Sequence, residues 1–179
     1  MPFPHGDGAV ESVEGVVVSM SEYIYSCMED CRDVRRIPVE LLHLADPSDE
    51  MLGSYLNKSV GFVCTCDEKI VGALLLTPTR PFVAEIMNVS VDESHQNRGI
   101  GRELIRRAVQ KAKDMRMRKI EIGTGNPGAV QMLLYQKCGF RIVGVDLDYF
   151  RIHYKERIIE NGIECRDMIR MEIILDLYM

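Results

Sequence analysis

A glycine-containing loop is the clearest place for chemistry in this chain. The loop has the sequence Gln96-Asn97-Arg98-Gly99-Ile100-Gly101 and follows an apolar segment, residues 84–91, that is typical of a buried strand. After the loop, apolar residues recur at helical spacing as far as Met115. The first amides of a helix have no intrahelical partners and attract anions, and glycines let an anion approach the backbone. The sequence therefore predicts a phosphate-binding loop.

Residues that the loop lacks exclude one class of phosphate site. A nucleotide-binding P-loop requires Lys followed by Ser or Thr, and neither pair follows here. The six residues instead resemble the Q-x-x-G-x-G signature of the GNAT superfamily of N-acetyltransferases, which binds the pyrophosphate of acetyl-coenzyme A. A second segment, Tyr135-Gln136-Lys137-Cys138-Gly139-Phe140, resembles the Y-x-K-x-G-F ending of that family. Two motifs in the right order are stronger evidence for this resemblance than either motif alone.

The resemblance implies an α/β fold, an α+β sandwich with a mixed central sheet of about six to seven strands and helices on both faces. Residues 61–66, 70–77 and 84–91 predict antiparallel strands, and the loop, its helix and residues 119–124 predict a crossover to a parallel strand. In the family, this parallel pair is splayed and leaves a slot for the thioester arm. Residues 32–179 are expected to form one GNAT domain, after a partly disordered extension, residues 1–31.

The resemblance also implies acetyl-CoA as co-substrate, and we expect no metal. Backbone amides of the strand at Val89–Val91 are expected to bind the pantetheine arm and the oxyanion, and Asn126 to steady the arm. The residues expected to contact acetyl-CoA are Val89, Ser90, Val91, Gln96, Asn97, Arg98, Gly99, Ile100, Gly101, Arg102 and Asn126.

Two further residues could move the protons of an acetyl transfer. An alkylamine has a pKa of about 10, so a base must remove a proton at neutral pH, directly or through water. Glu85 opens an apolar strand, where burial would raise its pKa, and it lies eleven residues before Gln96, as does the general-base glutamate of the histone-acetylating branch of the family. Tyr135 occupies the position of the family's usual general acid. The alternatives without catalysis are that Glu85 is an exposed glutamate at the end of a strand and that Tyr135 is a core tyrosine.

Other functions stay open at this point. The same fold could be a non-catalytic acyl-CoA-binding sensor or interaction module, which would need neither proton-transfer residue. Residues Gly123–Gly128 also spell G-x-G-x-x-G, typical of a dinucleotide-binding protein, but too few residues follow for a doubly wound sheet. We instead expect a helix with Asn126 as N-cap and Pro127 at its first position. Its expected buried stripe is Val130, Leu133, Leu134 and Cys138, with Gly139 as a left-handed end.

The margins of the chain are harder to interpret. Residues 20–28 predict a helix, residues 33–37 resemble the family's short first strand, and residues 47–56 predict a helix with Asp46 as N-cap. The long excursion 146–166 contains aromatic and basic residues and an Asn161-Gly162 turn. It is expected either to pack on itself, to cover the acceptor site, or to form a subunit contact in a homodimer.

Charge and composition restrict the partners. The net charge of −5 at pH 7 argues against a nucleic-acid binder, which would carry a basic face. The six cysteines lack C-x-x-C spacing, which is typical of a reducing cytoplasm, and no apolar run approaches the length of a membrane span. We expect a cytoplasmic enzyme with a small-molecule or peptide amine as acceptor, and neither nucleic acid nor membrane as partner.

Overall fold

The structure is a computed structural model that describes residues 22–29 and 31–175. Its centre is a seven-stranded mixed sheet with the strand order β1-β2-β3-β4-β5-β9-β6. These strands are β1 (Ile24–Met28), β2 (Val60–Cys66), β3 (Lys69–Arg80), β4 (Val83–Val91), β5 (Lys119–Gly125), β6 (Arg141–Asp146) and β9 (Met168–Ile174). A separate hairpin consists of β7 (Ile159–Glu160) and β8 (Ile163–Glu164).

Helices cover both faces of the sheet. They are α1 (Cys31–Val34), α2 (Val39–His43), α3 (Asp49–Tyr55), α4 (Ile100–Asp114), α5 (Ala129–Lys137) and α6 (Tyr149–His153). One apolar cluster joins α4 and Tyr135 of α5 to the sheet, and its buried residues include Leu104, Ile105 and Ile122. A second cluster joins α1, α2 and α3 to the opposite face. The expected mixed sheet with helices on both faces is thereby confirmed.

β4 and β5 form the parallel pair of the sheet, and the two strands separate before they end. Pairing runs only from Val83–Ile86 on β4 to Lys119–Ile122 on β5, after which β5 pairs only with β9. The register between β3 and β4 shifts at the same level, so that Leu76 pairs with Ile86 but Leu75 pairs with Asn88. A bulge of this kind bends a strand, and beyond Ile86 β4 pairs with β3 alone, so its β5 side is left unpaired. The splayed pair expected from the resemblance is present.

The same bulge changes which residues of β4 face each layer. Before it, Ala84 and Ile86 are buried in the cluster under α4, whereas beyond it Val89 and Val91 pack against that cluster. Asn88 faces the other layer, because its Nδ2 donates to the Leu42 carbonyl oxygen of α2 at 2.9 Å.

Three predictions at the N-terminal margin are wrong. Residues 24–28, expected in a helix, form the edge strand β1, antiparallel to β2; residues 20–21 lie outside the described part. Residues 33–37 form the end of α1 and a turn, not a strand. The helix expected at residues 47–56 is present as α3, but its predicted N-cap is wrong: the helix begins at Asp49, because the Ser48 hydroxyl, not Asp46, accepts the capping bond from the Met51 amide at 3.2 Å. The domain boundary after residue 31 remains a prediction.

The excursion 146–166, hereafter the flap, is an ordered element. It contains α6 and the β7-β8 hairpin, whose turn has φ of 53° at Asn161 and 75° at Gly162. Both values lie in the left-handed region that such a two-residue turn requires, so the predicted hairpin is confirmed.

Gly72 on β3 sets the position at which α4 begins. A Cβ atom at Gly72 would lie 2.8 Å from Cγ2 of Ile100 and 3.3 Å from Cδ1 of Leu104, whereas one at Gly53 on α3 meets nothing within 4 Å. We therefore expect Gly72→Ala to lower the free energy of unfolding by about 1–3 kcal/mol and Gly53→Ala to raise it by up to about 1 kcal/mol. Urea unfolding of both variants tests this, and equal effects of the same sign would contradict the described packing.

Candidate functional site

A cavity of about 270 Å³ occupies the gap between β4 and β5. Its walls come from both strands, from α5, from the α2–α3 connection and from the flap. A second cavity extends along the glycine loop and α5, and the two share Val89, Val91, Gln96, Gln131 and Tyr135. Because the same residues border both, the loop and the interior gap form one continuous groove.

The free edge of β4 presents backbone donors to this groove. The Asp92 amide donates to the Val71 carbonyl of β3 at 2.9 Å. Backbone groups alternate in direction along a strand, so the amides of Val89 and Val91 point to the opposite edge, where β5 has already separated. These are two of the residues predicted to bind the pantetheine arm, and their backbone is free to do so.

The loop presents a second set of amides. Asn97 and Gly99 have φ of 59° and 84°, which turns the chain sharply before α4 begins at Ile100. The amide of Glu103 donates to the Gly99 carbonyl at 3.0 Å, so the amides of 100–102 precede the first helical hydrogen bond. With the positive end of a 15-residue helix behind them, these amides are arranged to attract an anion.

The side chains of the loop have different tasks. Gln96 donates from Nε2 to the Val91 carbonyl at 3.0 Å and so fixes the loop to the end of β4. Arg98 donates to the Tyr23 hydroxyl at 3.0 Å and to the Ser94 carbonyl at 3.2 Å. Arg102 is exposed, borders the groove, and has no ion pair within residues 22–29 and 31–175. Of the two predicted arginines, Arg102 is therefore the one that is free to pair with a phosphate.

Tyr135 lies where the two cavities meet. Its side chain is buried, and the structure gives its hydroxyl no hydrogen-bond partner among the described residues. Burial, and secondarily the charge of Glu160, raises the pKa of Tyr135 above its usual value. The hydroxyl therefore keeps its proton at neutral pH, and the residue borders both cavities.

Glu85 lies outside this cavity. Its carboxylate accepts from Nη1 of Arg170 at 2.9 Å, and Arg170 also donates from Nε to Asp146 at 2.6 Å. Burial raises the pKa of Glu85, while the charge of Arg170 opposes the shift. The predicted base is thus buried and ion-paired, and it does not border the groove.

Asn126 connects β5 to the flap. Its Oδ1 accepts from the amides of Arg166 and Asp167 at 2.7 and 3.0 Å, and its Nδ2 donates to the Glu164 carbonyl at 3.2 Å. The prediction that it caps α5 is wrong, because the helix begins at Ala129 with Gly128 as N-cap. Neither cavity includes Asn126, so the structure does not bring it together with the other predicted cofactor contacts.

The expected buried stripe of α5 is wrong at two of its four positions, whereas Leu134 and Cys138 pack against the core cluster. Val130 and Leu133 are 73% and 53% exposed, and Tyr135 is the buried residue of the helix. The later start of the helix and the groove beside it explain the difference, since Val130 and Leu134 border the groove beside the loop. Gly139, with φ of 97°, ends the helix as expected.

The glycines of the dinucleotide-like segment do not form a phosphate-binding turn. Gly123 and Gly125 lie within β5 and pair with Arg170 and Met168 of β9. A Cβ at Gly128 would lie 2.2 Å from Oγ1 of Thr124, so this glycine allows a close approach between backbone and side chain. The three glycines are explained by packing.

Several cavity residues were not predicted from the sequence. Asp46 is 5% exposed and accepts from the Tyr55 hydroxyl at 2.9 Å and from the Tyr154 hydroxyl of the flap at 3.2 Å. Three buried side-chain atoms in the cavity wall have no partner among the described residues, namely Asn88 Oδ1, Ser90 Oγ and Gln131 Oε1, and of these three residues only Ser90 was predicted. An Asp before Pro and Ser suggested only a helix cap, and no local pattern indicates that Asp46 meets the flap.

No helix in the described part of the chain is long and apolar enough to span a membrane. No group of three or more His, Cys, Asp or Glu side chains there is arranged to hold a metal ion.

Comparison with known proteins gives consistent results. The model of the acetyltransferase (GNAT) family matches residues 25–140. An uncharacterized N-acetyltransferase of Bacillus subtilis, YvbK, is 46% identical over 136 residues, which are 76% of this chain and 88% of that protein. The structure of an IAA acetyltransferase from Bacillus cereus has a TM-score of 0.80 at 44% identity and covers 86% of this chain and 99% of its own. A GNAT family acetyltransferase from Elizabethkingia anophelis with acetyl-CoA bound has a TM-score of 0.79 at 38% identity, with 85% and 97% covered.

Proposed function

Because the chain belongs to the GNAT family of acetyltransferases and is an N-acetyltransferase that uses acetyl-CoA, we propose that it acetylates a primary amine by direct attack in a ternary complex. The observation that supports this most is the continuous groove from the glycine loop to the gap between β4 and β5. One end carries free helix amides for a pyrophosphate. The other end is lined by polar groups that an acceptor could use.

In this proposal, the amides of the loop and Arg102 bind the pyrophosphate, and the free edge of β4 binds the pantetheine arm. The thioester carbonyl then lies in the gap, where the Val89 and Val91 amides are donors for the oxyanion that develops on attack. Donors that are fixed in a partly dry gap need no reorganisation during the reaction. Tyr135 gives its proton to the departing thiolate.

The base of this mechanism is proposed to be Glu85, acting through water because its carboxylate does not border the cavity. Glu85→Gln should lower kcat/KM and remove the lower limb of its pH profile. In the unchanged enzyme this limb should lie above the range of an ordinary glutamate, about 4.3, since burial raises the pKa and activity is lost as pH falls through it.

Glu121→Gln is a matched control for this variant. Glu121 pairs with Glu85 in register across β4 and β5, and its charge helps to raise the pKa of Glu85. The control should keep the limb and move it to lower pH. An unchanged profile in Glu85→Gln would remove Glu85 from the mechanism and leave it as the partner of Arg170.

The overall proposal is tested by thiol release from acetyl-CoA across a panel of primary amines, with product masses as confirmation. We expect release that depends on the amine, with intersecting initial-velocity lines, as a ternary complex requires. Binding of acetyl-CoA without release in any amine would favour the sensor alternative.

Location and assembly are the remaining parts of the proposal. We propose a cytoplasmic enzyme whose acceptor is a small-molecule or peptide amine, with neither nucleic acid nor membrane as partner. The homodimer stays a proposal as well, and sedimentation equilibrium measures it directly.

A further inference from the structure

The charge of the interior cavity restricts its ligand. Two carboxylates, Asp46 and Glu160, border it, and no Lys, Arg or His side chain does among the residues that the structure describes. The nearby arginines of the flap and of β9 are already paired: Arg151 and Arg157 with Glu164, and Arg170 with Glu85 and Asp146. A ligand that carries a carboxylate would therefore enter without a positive partner, whereas a cation would meet two negative ones.

Asp46 retains a free acceptor position. Its Oδ1 accepts from the Tyr154 hydroxyl at 3.2 Å and from the Ser48 amide at 3.2 Å, whereas its Oδ2 accepts only from the Tyr55 hydroxyl at 2.9 Å. A carboxylate oxygen has two lone pairs, so Oδ2 can accept one more hydrogen bond. A buried carboxylate without a cationic partner is costly, and an ammonium group at Oδ2 would remove that cost.

Glu160 lies at the Tyr135 side of the same cavity. Its Oε1 accepts from Nε2 of Gln131, a neighbour of Tyr135 in both cavities, at 3.1 Å. Asp46, by contrast, comes from the α2–α3 connection and contacts Tyr55 of α3. One carboxylate thus lies near the proposed reaction centre and the other at the acceptor side of the cavity.

Orphaned polar atoms are a second and independent sign of a ligand here. Asn88 and Ser90 are 2% and 4% exposed, border the cavity, and have Oδ1 and Oγ without partners among the described residues. Buried polar atoms are rarely left without a partner, so groups of this kind indicate that a bound ligand or a water molecule supplies the donor. Both atoms can accept hydrogen bonds, which suits a ligand rich in N–H groups.

We propose that the acceptor is an aliphatic diamine without a carboxylate, whose distal ammonium group binds Asp46 while the amine at the Glu160 side attacks the thioester. This inference rests on the proposed acetyl transfer. The attacking nitrogen forms a bond to the acetyl carbon, and the C–S bond breaks with its electron pair left on sulfur. One proton leaves the ammonium group before the attack, and a second passes from nitrogen, through Tyr135, to the thiolate. The apolar chain of the diamine lies against Phe150 and Ile158 in the cavity wall.

Three acceptors with the same reacting end test the proposal: 1,4-diaminobutane, n-butylamine and 4-aminobutyrate. We expect kcat/KM to fall in that order. Between 1,4-diaminobutane and n-butylamine it should fall by about tenfold or more, because the hydrogen bond between the distal ammonium group and Asp46 is lost. Asp46→Asn should reduce the preference for the diamine over n-butylamine to about one, while the KM of acetyl-CoA stays unchanged. Equal kcat/KM for the three acceptors would overturn the proposal.

Two variants separate charge from structure. Asp49→Asn removes an exposed carboxylate on α3, 87% exposed and paired with His43, and should keep the preference. Tyr154→Phe deletes the hydrogen bond between the flap and Asp46 but keeps the negative charge of Asp46, so this variant should also keep the preference for the diamine. If Tyr154→Phe abolishes the preference as Asp46→Asn does, Asp46 only holds the flap and the proposal is wrong.

Calorimetry separates failure of this inference from failure of the proposed function. 1,4-Diaminobutane is titrated into the CoA complexes of the unchanged protein and of Asp46→Asn. Binding to the first and at least tenfold weaker binding to the second supports the diamine site even if no amine releases thiol. No binding to the unchanged protein overturns the diamine site, and amine-dependent thiol release with other acceptors would still support the proposed function.

Discussion

Replacing Tyr135 with phenylalanine is expected to lower kcat by a factor on the order of 10² or more, while the affinity for acetyl-CoA and the melting temperature change little. The ring keeps its packing against Phe140, at a centroid distance of 6.3 Å. The hydroxyl has no partner among the described residues, so its removal leaves no buried group unsatisfied. Only the proton for the thiolate is lost.

Tyr25→Phe is the matched control for this variant. Tyr25 is a partly buried tyrosine of β1, covered by the guanidinium of Arg107 at 4.9 Å from its ring centroid, and it borders neither cavity. Steady-state kinetics and thermal unfolding of both variants are compared. Normal turnover in Tyr135→Phe would refute the assignment of general acid, whereas a lower melting temperature with unchanged kcat would mark the hydroxyl as part of the core.

Gly101→Asp should abolish binding of acetyl-CoA at concentrations that saturate the unchanged protein. A carboxylate at this position would lie at the start of α4, beside amides that are expected to receive the pyrophosphate, and would repel it. The thermal stabilisation by acetyl-CoA, which follows from binding to the native state alone, should disappear with it.

Gly101→Ala shows whether charge or size causes this loss. A Cβ at this position would lie 3.6 Å from Cδ2 of Leu134 and 3.8 Å from Cγ2 of Val91, both ordinary contacts. Alanine should therefore keep most of the thermal shift. If the aspartate variant keeps the shift as well, the pyrophosphate does not bind at these amides.

The elements around the loop were predictable because their signals are local. The helical spacing of Ile100, Leu104, Ile105, Ala108 and Ala112 is strong, and all five are buried as expected. The strands β2 to β5 were predicted within a few residues for the same reason. The glycine loop was predictable because glycine readily adopts the left-handed φ that Gly99 has, and because a helix follows it directly.

Other features depend on contacts between distant segments, which no local pattern shows. α5 was expected to bury Val130 and Leu133, but Asn126 bonds to Arg166 and Asp167 of the chain around the flap, and the helix starts three residues after it. Asp46 looks like a helix cap in the sequence, yet Tyr154, 108 residues later, reaches it from the flap. The bulge in β4 is equally nonlocal, because a register shift is a property of two strands.

Glu85 shows how a correct local prediction can leave a role undecided. The expectation that burial would raise its pKa agrees with the structure. Arg170, from a strand 85 residues later, pairs with it, and Glu85 does not border the groove. The pH profile of Glu85→Gln therefore tests whether Glu85 is the base, because its environment alone does not decide this.

A crystal structure with CoA and 1,4-diaminobutane tests the central claim most directly, because it places the sulfur relative to Tyr135. We predict the pyrophosphate on the amides of 100–102, the pantetheine arm along Val89–Val91, and the sulfur within about 4 Å of the Tyr135 hydroxyl, close enough for proton transfer. A sulfur remote from Tyr135, or CoA bound outside the gap between β4 and β5, would contradict the account.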